Sequence, residues 1–110
     1  MSHRRAFTRH LYILDGKTPV PEPDLSTWAR WFEDADRIVA HTVRENVSVS
    51  TVFLGLDHSF HEGPPILFET MVFRSGQSGD DMARYSTWEE AEKGHAEMVK
   101  LALSKRYQKA

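Results

Sequence analysis

The chain has 110 residues, 40% hydrophobic and 27% charged, with six Gly, five Pro and no Cys. That size and mix describe one globular domain that folds on its own core, and the missing cysteine excludes disulfides, thiolate zinc sites and cysteine nucleophiles. The formal net charge of -2 conceals an uneven layout: Arg4, Arg5 and Arg9 at one end and Lys105, Arg106 and Lys109 at the other face no nearby acid, so an acidic body carries two basic ends. No run approaches the roughly 20 apolar residues of a membrane span, and residues 1–10 do not read as a signal peptide, so a cytoplasmic protein without a membrane partner is expected. Residues 1–10 are expected to form a basic tail and residues 11–107 a single α+β domain.

Residues 11–14 (LYIL) are β-prone and end at the turn dipeptide Asp15-Gly16. Pro19, Pro21 and Pro23 predict an extended connection. Asp24 then caps a helix predicted to about residue 37, because Leu25, Trp28, Ala29, Phe32 and Ala35 recur on one face. Trp31 lies off that stripe, so it either packs at its edge against the sheet or stands exposed as a contact anchor. Residues 38–43 and 47–56 are rich in β-branched side chains and flank the polar Arg44-Glu45-Asn46 turn, a hairpin pattern. In the second of these strands Val47, Val49, Thr51 and Phe53 share one side, and the far half is apolar on both faces, as in a central strand.

Residues 66–73 form the next predicted strand, with Glu69 the exception among apolar neighbours. Residues 74–86 (RSGQSGDDMARYS) lack apolar periodicity and are predicted to be a loop. Thr87-Trp88-Glu89-Glu90 fits a capping box, and a helix to about residue 107 follows, with Trp88, Ala91, His95, Met98 and Ala102 on its inner stripe. Gly94 in mid-helix suggests that another backbone comes close. The order β-α-β-β-β-α predicts an antiparallel sheet of about four strands with two helices on one face.

Chemistry concentrates in one connection. Residues 57–65 (DHSFHEGPP) form a long link between two predicted strands and hold Asp57, His58, His61 and Glu62. Imidazole and carboxylate suit zinc, manganese or iron, and His41 on the neighbouring strand adds a third nitrogen to His58 and His61, but a loop spacing of three aligns no pair of ligands. The opposing reading has Asp57 and Ser59 making turn hydrogen bonds and the histidines at the surface. The same loop with Glu69 offers acid-base residue types, without an activated nucleophile or a phosphate-cradling glycine loop. Glu69 reads as a solvated or ion-paired mid-strand carboxylate, and His95 as a satisfied core or boundary histidine. The basic ends suit phosphates, yet the acidic body and the lack of a binding motif argue against direct nucleic-acid binding. No cofactor is implied.

Five runs in order, 12–21 (YILDGKTPVP), 28–33 (WARWFE), 50–58 (STVFLGLDH), 68–73 (FETMVF) and 85–91 (YSTWEEA), with Gly94-His95, resemble a family of small uncharacterised proteins encoded by bacteriophages, prophages and other bacterial mobile elements. The resemblance covers about residues 12–100 and carries over no catalytic residue or cofactor. It implies a setting: an accessory protein in a bacterial host. The expected function is a small non-enzymatic binding module for a host or defence protein or nucleoprotein, with Trp31, Asp57, His58, His61, Glu62 and Glu69 as candidate binding residues. The alternative is a small enzyme or metal-binding protein sited at the 57–65 loop. A homodimer through the sheet face is a further expectation, motivated by Leu54, Leu56, Met71 and Phe73.

Overall fold

The computed structural model describes residues 10–59, 62–75 and 77–109, the side chains of 77–80 and 105–109 excepted. In chain order the elements are β1 (Tyr12–Asp15), β2 (Thr18–Pro21), α1 (Leu25–Asp34), β3 (Ile38–Arg44), β4 (Val47–Phe53), β5 (Phe68–Arg74), β6 (Gln77–Tyr85) and α2 (Trp88–Lys109). β1 and β2 form a two-stranded ribbon, and β3-β4-β5-β6 an antiparallel four-stranded sheet in sequence order. The α+β class is as expected.

Strict alternation sets the orientation of the sheet. In β4, Val47, Val49, Thr51 and Phe53 are buried while Ser48, Ser50 and Val52 are only partly covered, and in β5 Phe68, Thr70 and Val72 are buried in the same register. These residues face α2. One core cluster joins Val47, Val49 and Val72 to Ala102, Met98 and Val99 of the helix. A second joins Phe53, Leu67 and Phe68 to Ala91, with Tyr12, Leu14, Trp31, Val39, Tyr85 and Trp88 around it. Burying such side chains contributes about 1.5–3 kcal/mol each.

The predicted loop at 74–86 is instead β6. Its polar sequence hides it: β6 is an edge strand with one neighbour, and pairing with β5 supplies the order that its own pattern does not. The predicted extended connection at 19–23 is corrected in the same way, because Thr18–Pro21 folds back on β1 with Asp15 opposite Thr18. In a two-stranded ribbon both strands are edges, where proline is tolerated. The first β-run therefore leaves the main sheet, and β6 takes the fourth place.

Two ends also move inward. The first helix stops at Asp34, where Ala35 turns extended. β4 stops at Phe53, ahead of Gly55 at φ 78°. A side chain at Gly55 would meet Phe32 Cε1 at 2.9 Å, and its carbonyl accepts from Tyr12 N–H and from the Trp28 indole N–H, which also reaches the Tyr12 carbonyl. This point fastens α1 and the ribbon to the end of β4.

Both helix starts are capped as expected. Asp24 accepts from Thr27 N–H at 2.9 Å, and the Thr27 hydroxyl and N–H bonds hold the Asp24 carboxyl below its ordinary value. Thr87 Oγ1 accepts from Glu90 N–H, and Glu90 Oε1 accepts from Thr87 and Ser86 N–H. Gly94, however, makes room for a side chain and not a backbone: an added Cβ would lie 2.2 Å from Tyr85 Cε1. Gly94→Ala should therefore destabilise by about 1–3 kcal/mol from overpacking, where an unhindered helix glycine would gain about 1 kcal/mol from propensity. A raised midpoint in thermal unfolding would show that Tyr85 yields freely.

Candidate functional site

The 57–65 connection is organised by its own backbone. Asp57 Oδ1 accepts from Ser59 N–H at 2.8 Å and from Ile66 N–H at 2.9 Å, so one carboxylate closes the loop at both ends. Burial alone would raise the Asp57 carboxyl, but these two N–H bonds, together with the Ser59 hydroxyl and the charge of His10, hold it below its ordinary value. Burial and then the Asp57 charge push the nearby Tyr12 phenol above 10.0. His58 donates its backbone N–H to the Ile66 carbonyl at 2.9 Å, and Glu62 is exposed. Asp57 is thus a turn-forming residue, and its carboxylate is occupied with the loop.

The other candidate residues stand apart from this loop. His41 is exposed in the middle of β3, opposite Ser50 in register, and its Nε2 lies 3.0 Å from Ser48 Oγ. Glu69 accepts from Arg84 Nε at 3.0 Å across β5 and β6, which is the ion-paired one of the two states expected for a mid-strand carboxylate. Trp31 meets Phe53 edge-on at 5.8 Å between ring centroids, which makes it a packing residue at the rim of the core. His61 lies outside the described residues. Among the described residues no group of three or more His, Cys, Asp or Glu is placed to hold a metal ion.

The most ordered polar cluster lies inside. His95 is buried on α2, with Nδ1 2.7 Å from Thr51 Oγ1 and Nε2 2.8 Å from Thr42 Oγ1, while Thr51 is also hydrogen-bonded to Thr70. A neutral imidazole donates from one ring nitrogen and accepts at the other, and hydroxyls match either choice. The cluster joins β3, β4, β5 and α2. Thr51 and Thr70 are fully covered, so no substrate reaches them.

Two surfaces remain. A cleft of about 390 Å³ separates β6 from α2, lined by Ile66, Arg84, Tyr85, Lys93, Gly94 and Glu97 among others. Its cations and anions balance: Arg84 is bound to Glu69 and Glu90 to its capping box, leaving Lys93 and Glu97 of opposite sign. Sequence reasoning did not foresee this cleft, for which mid-helix Gly94 was the single signal. The second surface is the sheet face turned away from α2. Register sets out its rows: Val43, Ser48 and Phe73; His41, Ser50, Met71 and Met82; Val52, Glu69 and Arg84.

Comparison with protein-family models, curated proteins and solved structures gives no match.

Burial, and secondarily the charge of His41, holds His95 below its ordinary 6.5. The unfolded chain thus binds this proton more readily than the folded one. Stability from the neutral cluster is present above about pH 6.5 and declines as pH falls below it. Urea unfolding midpoints should drop between about pH 7.5 and 5, and His95→Gln, which keeps polar contacts but does not titrate, should flatten that slope. An equal slope in both proteins would remove His95 as the cause. Thr51→Val, which strands both His95 Nδ1 and Thr70, should cost about 1–3 kcal/mol.

Proposed function

We propose that this chain is a small non-enzymatic binding module that docks a protein partner on the helix-free face of its four-stranded sheet. The observation that carries this reading is the contrast between the two faces. One is sealed by α2 and the two core clusters; the other leaves Val43 60%, Met82 52% and Phe73 39% exposed, around half-buried Met71 and Val52. An apolar patch bordered by polar groups, here Ser48, Ser50, His41 and the Glu69–Arg84 pair, matches the make-up of protein interfaces.

Size bears on the kind of contact. Four strands at ~4.8 Å spacing and three rows at about 7 Å span only about 19 by 20 Å. That is small against the roughly 800 Å² per partner of a standard stable interface, so the contact is reversible. The occupied Asp57 carboxylate and the sealed His95 cluster support a non-enzymatic role. The family resemblance supplies the setting: the cytoplasm of a bacterial host, where an accessory protein of a phage or other mobile element acts on a host or defence protein or nucleoprotein. Among the described residues no helix is long and apolar enough to cross a membrane.

Photo-crosslinking in a bacterial host tests this. A crosslinker at Ser50, on the outer face, should capture a protein that one at Lys93, on the helix side, does not. The Phe73→Asp, Met82→Asp double variant should keep its thermal midpoint and lose that capture by at least ~10-fold, equivalent to about 1.4 kcal/mol. Capture unchanged by the double variant, or capture equal from both positions, would overturn the docking face.

A further inference from the structure

The two rims of the main sheet differ in how they meet solvent. β6 carries Gly79, Asp80 and Asp81, and its register with β5 breaks between Val72 and Arg74. Acidic residues, glycine and a bulge are the devices by which edge strands discourage further pairing. β3 has neither Lys, Pro nor acid within Ile38–Arg44. Its one irregularity lies between Ile38 and Ala40, and from Ala40 to Arg44 it runs in unbroken register with Thr51 to Val47. About 17 Å of regular ladder is therefore presented along a rim that no other described strand pairs with, with Ile38 55% and Val43 60% exposed.

The charges along this rim are polar in the directional sense. Asp36 stands exposed just ahead of the strand, bonded to Ile38 N–H, and Arg44 stands exposed at its end. Arg37 does not neutralise Asp36 at the rim, because it turns inward, stacks 4.0 Å over Phe32 and donates to the Phe53 carbonyl. Glu45, beside Arg44, has a contact of its own.

We propose that β3 is a homodimerisation edge, on which a second copy of this chain adds its own β3 in antiparallel alignment. Antiparallel pairing of a strand with its copy is two-fold symmetric and closes after one partner. It brings the Asp36 end of each copy toward Arg44 of the other, so the rim is complementary to itself. Parallel pairing would set like charges side by side. Both α2 helices then lie on one side of a sheet of doubled width, and the outer faces become continuous. This inference does not depend on the docking face above.

Sedimentation equilibrium at high micromolar protein reads the outcome. The unaltered chain should show twice the 12.7 kDa mass. Arg44→Glu places acid at both ends of the rim and Asp36→Lys places base at both; each alone should dissociate at least ~10-fold more readily, and an equimolar mixture of the two should recover the dimer. Val43→Lys charges the outer face at the rim strand without touching the core and should give a monomer, while Phe73→Asp, in the same row but two strands further in, should leave the dimer intact; this pair keeps the test decisive where a charge-reversed variant fails to fold. A monomeric unaltered chain overturns the proposal. So does a dimer that withstands both reversals and Val43→Lys, or one lost only on Phe73→Asp, which would move the interface to the sheet face.

Discussion

His95 sits where four elements meet, and the rest of the architecture depends on keeping its imidazole satisfied there. Taking a polar ring out of water costs several kcal/mol unless its hydrogen bonds are replaced, and here Thr42 and Thr51 replace both. Thr51 is further tied to Thr70, its direct partner in the β4–β5 register. A slip of one residue between these strands would turn the threonines away from the helix and strand the imidazole. The polar seam thus specifies register, while the apolar clusters on either side supply most of the burial.

The remaining pieces are attached to the end of this sheet by backbone bonds. The Gly55 carbonyl accepts from Tyr12 and Trp28, and the close approach of Phe32 leaves no space for a side chain at that position. Asp57, two residues on, draws the following loop back onto Ile66. The residues with chemical potential do not converge. Asp57 is consumed by its loop, Glu69 by Arg84 on the outer face and His95 by threonines in the core, while His41 lies on the outer face at the far rim.

Much of this fold was legible from local pattern. The alternation of Val47, Val49, Thr51 and Phe53, the Thr87–Glu90 capping box and the stripe carrying His95 follow from periodicities of two and 3.6 and from hydrogen bonding within a few residues. The Asp57 turn was legible for the same reason. β6 and β2 were not, because Gln77–Tyr85 and the proline-rich Thr18–Pro21 are strands only through their neighbours. Gly94 was recognised as a close approach, but that the approaching group is the Tyr85 ring depends on β6 existing.

The amino-acid sequence alone determined the class, the central strand, both helix starts and the place of His95 on the inner stripe of its helix, because each rests on contacts between residues near in the chain or on one face of one element. Only the tertiary structure decided which strands form the sheet, that its two rims differ, and that no described helix covers the outer face. Those properties arise from backbone pairing between strands, where a polar edge strand gains its order from the partner's backbone and leaves little mark in its own side chains.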